Sequence, residues 1–279
     1  VTKLCPHPHT ANNFVGNLVN AAIYIIHKSC LSGLQVTKGK IDFAQEILPK
    51  ILTSKKIVLA YESPEFVKDM GTPERLARTK LLYPNRYRKN TPNPVIFLDR
   101  DGTINSIEIG NYITSKNEFY LLEGAGEAIR IMHEKGYFVM VVTNQPIIAR
   151  GEISINELKK IHNHLDWLLG QHNTYIDRIE FCPHHPDSGF DGEVSDLKFK
   201  CECRKPGIGL FEKASEYISP NFKSSWMVGD SKVDIQAGKK FGLNTALVSN
   251  LDLPKCDVDI KKNTLLEFAN FLPKIVQKN

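Results

Sequence analysis

Asp99 and Asp101 stand one residue apart at the end of the apolar run Val95-Ile-Phe-Leu, with Gly102 and Thr103 directly behind them. Two carboxylates this close repel each other and shift each other's pKa unless a cation lies between them or one keeps its proton. Either outcome serves chemistry on phosphate esters. Asp and Gly after a strand are also ordinary turn residues, so the pair gains weight from its companions further along the chain. Val141-Val-Thr143-Asn144 is a second apolar run ending in a hydroxyl and an amide, with Gln145 beside them; such groups donate hydrogen bonds to a phosphoryl oxygen. Lys205, in Cys203-Arg204-Lys205-Pro206-Gly207, supplies a compact positive charge. Trp226-Met-Val-Gly229-Asp230 is a third run ending in a carboxylate, with Asp234 four residues on. Singly these are turn residues, a solvated lysine and a helix N-cap. In this order they make a Mg²⁺ phosphoryl-transfer site, because magnesium takes carboxylate oxygens together with water and phosphate. Asp99, the Asp101 main chain and Asp230 are the expected ligands.

Such a site needs strand ends to carry it. Runs at 95–98, 137–142, 176–181, 225–228 and 244–248 have strand character and alternate with helix-like segments. After Glu123, residues Ala125, Ala128, Ile129 and Met132 fall at helical spacing; after Ser154, Ile155, Leu158, Ile161, Leu165 and Leu168 do the same. Alternation of this kind predicts a Rossmann-like α/β fold, a mostly parallel sheet with helices on both faces. Ligands of such sheets bind at the carboxyl ends of the strands. Upstream, the pattern predicts strands over 17–26 and 56–62 and helices over 42–52 and 73–82, about half of an α/β domain. The proline-bearing polar stretch 84–94 is expected to be a linker between a partial first segment, 1–83, and a second domain, 95–279.

The chain has 279 residues, 42% hydrophobic and 24% charged, with a formal net charge of +5. Its lysines are dispersed, so nucleic acid is not an expected partner. Its longest apolar runs are far too short for a membrane span, and no signal pattern opens the sequence, which predicts a cytoplasmic protein. Of six cysteines, Cys5, Cys30 and Cys256 are scattered. Cys182-Pro-His184-His185 and Cys201-Glu-Cys203 cluster, and three thiolates with one imidazole suit tetrahedral zinc. The expected ligands are Cys182, His184, Cys201 and Cys203, with His185 as an alternative to His184. A full protein shell means a structural ion, one that would pin the loop 182–203 leading into Arg204 and Lys205.

The four acidic, hydroxyl and lysine motifs resemble those of the haloacid dehalogenase superfamily. That resemblance implies Asp99 as a nucleophile forming an aspartyl-phosphate and Asp101 as the acid, later the base. Thr143 and Lys205 would then stabilise the phosphoryl oxygens. Asp-Arg-Asp-Gly-Thr-Ile-Asn, Thr-Asn-Gln, Cys-Pro-His-His-Pro and Cys-x-Cys-Arg-Lys-Pro-Gly, spread from about Val95 to Val248, are similar to the heptose-bisphosphate and histidinol phosphatase branch, phosphatases without a large cap. The resemblance implies a phosphoric monoester hydrolase acting on a small sugar phosphate, foremost the 7-phosphate of a heptose 1,7-bisphosphate. Histidinol phosphate is the alternative substrate, and a silent scaffold that kept the fold is the alternative of another class. Asn144, Gln145, Arg204 and a loop at Gly110, Asn111 and Tyr112 would contact substrate. Pro146 and the long stretch between His184 and Cys201 depart from the branch on the substrate side.

Asn17-Leu-Val-Asn20 and Asp69-Met-Gly71-Thr72-Pro73-Glu74 resemble the second half of sugar-1-phosphate nucleotidyltransferases, with Asp69 at the metal-ligating position of that family. Its nucleotide-binding first half has no counterpart in this sequence, so nucleotide transfer by this chain alone is not expected. Half a sheet leaves an open edge, which invites a separate nucleotidyltransferase chain or self-association through the N-terminal segment.

Overall fold

The computed structural model describes residues 21–34, 39–54, 56–60, 70–82, 92–107, 111–249 and 257–275. The chain divides into two units, residues 1–67 and 68–279. Within the first, Asp42 caps a wide turn over Phe43–Ile47 by accepting from the Gln45 amide, and this runs into helix α1, Leu48–Thr53. Pro49 has no N–H to return to the preceding turn, so the segment predicted as one helix begins with a looser winding. Residues 21–26 and 56–60, predicted as strands, are not strands. Their apolar side chains point outward, with Ile23, Ile25, Ile57 and Leu59 all strongly exposed. A strand needs a paired neighbour for its main-chain groups, and the described residues of this unit contain none. Residues 17–20 and Asp69 lie outside the described residues, as does most of the expected linker.

The second unit opens with helix α2, Pro73–Leu82, as predicted, and then builds the sheet. Strands β1 (Val95–Leu98), β2 (Phe138–Asn144), β3 (Arg178–Cys182), β4 (Trp226–Gly229), β5 (Asn244–Val248) and β6 (Ile260–Lys262) are all parallel, in the order β3-β2-β1-β4-β5-β6. Helices α3 (Ala125–Glu134), α4 (Ile155–Gln171), α5 (Gly209–Ser215), α6 (Lys232–Phe241) and α7 (Leu265–Phe271) cover it. β1 is fully buried because it is central and roofed on both sides. Ile96 and Leu98 face one core with Ile129, Met132, Ile161, Leu165 and Phe268; Val95 and Phe97 face a second with Leu210, Phe211 and Ala237. Each such side chain contributes about 1.5–3 kcal/mol of burial, which fixes the strand against slipping. A one-residue shift would exchange the two faces.

Strand order reverses between β1 and β4, so the connections leave the sheet to opposite sides there and open a crevice at the carboxyl ends. Asp99 and Asp230 stand at that crevice, each immediately after its strand.

Candidate active site

Main-chain pairing holds β1 and β4 in register up to the site: Leu98 lies opposite Val228, and the Asp99 amide donates to the Val228 carbonyl at 2.9 Å. Asp99 and Asp230 therefore end up side by side. Gly102 has φ +82°, and a Cβ there would overlap the Asp230 carboxylate. Only glycine lets the turn after β1 pass under that side chain. Gly229 does the same for Asp234, whose carboxylate occupies the space a Cβ at 229 would take.

Lys205 is buried, and its Nζ lies 2.6 Å from Asp99 Oδ1 and 2.6 Å from Asp234 Oδ1. Burial alone would lower its ammonium, but Asp234 and Asp99 more than offset that and hold it protonated. The other Asp234 oxygen accepts from the Ser231 amide and hydroxyl, closing a capping box at the start of α6. Asp234 is thus a fixed strut for the lysine. Asn144, at the end of β2, grips the same residue by its main chain: its Nδ2 donates to the Lys205 carbonyl at 3.1 Å, and its Oδ1 accepts from the Lys205 amide at 2.9 Å.

Asp99, Asp230 and Asp234 place carboxylate oxygens within 4.8 Å of one another. Burial, reinforced by Asp234, Asp101 and Asp230 and opposed by Lys205, raises the Asp99 carboxyl to about 8. Burial and Asp234 raise Asp230 to about 6. A donor set that is crowded, desolvated and short of positive charge suits a divalent cation.

Asp101 turns the opposite way. Its carboxylate accepts from Arg100 Nε and Nη2 at 3.0 and 2.9 Å, from Asn105 Nδ2 at 3.0 Å and from Gln145 Nε2 at 2.8 Å. The two aspartates of the motif are thereby separated: one faces the lysine and the acidic cluster, the other a nest of donors. Thr143 is buried and accepts from Gln145 Nε2 at 3.0 Å.

The cysteine cluster forms beside this site because Cys182 ends β3 while Cys203 lies two residues before Lys205. Cys182, His184, Cys201 and Cys203 bring their donor atoms within 4.8 Å of one another. Cys182 Sγ lies 3.1 Å from Cys203 Sγ and 3.5 Å from Cys201 Sγ, and His184 Nδ1 lies 3.2 Å from Cys203 Sγ. The Cys182 thiol beside it draws Cys203 down to about 5, and Cys182 is pushed up in turn. Three sulfurs at this spacing cannot all ionise without a shared cation. His185 stands apart from the cluster, its Nδ1 3.2 Å from the Asp187 carbonyl oxygen, so His184 is the imidazole that the geometry offers.

Of the residues expected at the substrate, Gly110 lies outside the described residues and Asn111 is exposed. Tyr112 packs against the Arg150 guanidinium, and Arg204 Nη1 donates to the His184 carbonyl at 3.4 Å. The Asn144 and Gln145 amides are turned to protein partners. Sequence reasoning misses Asp234 as the partner of Lys205, and Arg100 and His162 altogether.

Comparison with known proteins bears on the family and the fold. Residues 202–250 match a family model described as HAD-hydrolase-like. The D-glycero-beta-D-manno-heptose-1,7-bisphosphate 7-phosphatase of Escherichia coli O6:H1 is 36% identical over 161 residues, 58% of this chain and 82% of that protein. Its namesake in Yersinia pestis is 36% identical over 185 residues, 66% of this chain and 95% of that protein. The chain belongs to this family of haloacid dehalogenase-type phosphatases. Solved phosphatases of that type share the fold. A D,D-heptose 1,7-bisphosphate phosphatase from B. bronchiseptica, complexed with magnesium and phosphate, superimposes with a TM-score of 0.54 at 28% identity, covering 63% of this chain and 96% of that one. A putative HAD-like phosphatase from Mesorhizobium loti gives a TM-score of 0.57 at 28% identity, covering 68% and 93%. As a haloacid dehalogenase-type phosphatase the chain is a phosphoric monoester hydrolase. No helix among the described residues is long and apolar enough to cross a membrane.

Proposed function

We propose that the chain is a Mg²⁺-dependent phosphatase that removes the 7-phosphate of D-glycero-D-manno-heptose 1,7-bisphosphate through an aspartyl-phosphate. The observation that carries this reading is the division of labour within Asp99-Arg-Asp101, one carboxylate against Lys205 and Asp230 and the other enclosed by hydrogen-bond donors. The relatives bearing the heptose-bisphosphate name favour this substrate over histidinol phosphate. The acidic and lysine positions that a silent scaffold would be free to lose, Asp99, Asp101, Lys205 and Asp230, are all present.

Asp99, Asp230 and the Asp101 main-chain carbonyl would hold magnesium, which neutralises phosphate charge that would otherwise repel Asp99. The Asp99 carboxylate attacks phosphorus, and the bond from phosphorus to the sugar oxygen breaks with its electron pair leaving on that oxygen. Asp101 supplies the proton that the oxygen takes up. Lys205 and the Thr143 hydroxyl stabilise charge on the equatorial phosphoryl oxygens. Asp101 then accepts a proton from the water that attacks the phosphorus; the bond from phosphorus to the Asp99 oxygen breaks with its electron pair returning to Asp99, inorganic phosphate leaves, and both carboxyl groups are back in their starting state. Asp234 and Asn144 take no part in bond changes and keep Lys205 in place.

Cys182, His184, Cys201 and Cys203 are proposed to hold a structural zinc, and their free-thiol chemistry fits a reducing cytoplasm. The phosphatase domain is taken as 95–279, with its zinc loop at 182–203.

The substrate assignment is tested by steady-state phosphate release with Mg²⁺ from both heptose bisphosphate anomers and from histidinol phosphate. A higher kcat/KM for a heptose bisphosphate is expected; a higher value for histidinol phosphate would sink the assignment. Gly102→Ala, by pressing a Cβ against Asp230, is expected to raise the Mg²⁺ concentration for half-maximal activity at least about tenfold. A Mg²⁺ titration of phosphate release checks this, and an unchanged midpoint would contradict the proposed ligand role of Asp230.

A further inference from the structure

Arg100 has no solvent exposure at all. An arginine between two catalytic aspartates has no need to be buried for phosphoryl transfer itself, and burying a guanidinium is costly unless every side is matched. Here it is matched on three sides. Nε and Nη2 reach the Asp101 carboxylate, the latter at 2.8 Å from Oδ2, and Nη2 also donates to Gln145 Oε1 at 3.1 Å. Nη1 donates to His162 Nε2 at 3.0 Å. The Phe119 ring lies 5.8 Å from the guanidinium carbon.

His162 sits on the buried face of α4, wedged edge-on against Phe181 at 5.9 Å. It accepts from a cation, so its Nε2 carries no proton and its ring is neutral; burial first, and Arg100 second, hold the imidazole well below its ordinary range. A residue 62 positions along the chain thus fixes the far end of the guanidinium whose near end fixes Asp101. The Asp101 side chain keeps only 10% exposure.

We propose that Arg100 and His162 act as a positioning pair that fixes where the Asp101 carboxyl stands when it exchanges a proton with the substrate. This rests on the reading of Asp101 as acid and base. With the guanidinium clamped at Nη1, it cannot swing about its own axis, and the carboxyl it holds by two parallel bonds cannot rotate either. Loosening the clamp makes no change at Asp99, Lys205 or Asp230 and degrades proton transfer by Asp101.

Leaving-group dependence separates this role from general support of the fold. A sugar alkoxide cannot depart without a proton, whereas a p-nitrophenolate can. In His162→Leu, kcat/KM for the heptose bisphosphate is expected to fall about tenfold, short of the roughly 10²–10⁴-fold worth of a general acid, while p-nitrophenyl phosphate loses less than about threefold. His162→Asn, too short to reach Nη1 yet polar, is expected to show the same selective loss and serves if the leucine variant does not fold. His162→Gln, whose carbonyl can accept from Nη1, is expected to restore the wild-type ratio of the two substrates. Equal losses on both substrates, or none on either, would overturn the pair. An Asp101→Asn enzyme that keeps full activity on the heptose bisphosphate would instead overturn the underlying reading of Asp101, so the two failures are distinct.

Discussion

Asp99→Asn is expected to lower phosphate release by at least about 10⁴-fold, the scale on which loss of a covalent nucleophile acts, with no loss of thermal stability. The amide is nearly the same size as the carboxyl, and its oxygen can still accept from Lys205 Nζ, now 2.6 Å from Asp99 Oδ1. What disappears is an oxygen able to form the acyl phosphate. Because burial and three neighbouring carboxylates raise Asp99 to about 8, the substitution also removes a charge that the site accommodates with difficulty. Melting temperature and turnover should therefore part company. Steady-state assay with a thermal melt checks both, and retained turnover would refute the covalent route.

Cys203→Ser should be the next most damaging change. Its sulfur lies 3.1 Å from Cys182 and 3.2 Å from His184, so the cluster loses its central donor. Zinc content is expected to fall from one per chain to well under half, and kcat to fall about 10²-fold because Lys205 follows two residues later. Cys30→Ser, a thiol outside the cluster, is the control and should change neither. Metal analysis beside the activity assay decides the matter: full activity in a zinc-free Cys203→Ser protein would end the proposed link between the loop and the lysine.

The sheet was legible where the strands are buried on both faces. Val95-Ile-Phe-Leu and Phe138-Val-Met-Val-Val are continuous apolar runs with no other reading at that length, and their ends gave the positions of Asp99 and Thr143. β6 escaped because Ile260-Lys-Lys lies at the sheet edge, where one face and one side meet solvent and polar residues are tolerated. The opposite error arose at 21–26 and 56–60, where apolar composition suggested strands but no neighbour among the described residues completes a ladder. Within the site, types of residue were legible and their pairings were not. Lys205 reaches Asp234 across 29 residues and Arg100 reaches His162 across 62. A histidine on the core face of α4 carries no local mark of what it touches.

Cys182 with His184, and Cys201 with Cys203, meet at one point, so the residues between them form a loop closed at its base. Asn144 holds the chain just beyond that base. Lengthening or shortening the segment from 187 to 199 therefore has no lever on Lys205. A change in this stretch would leave the phosphate-binding end where it is.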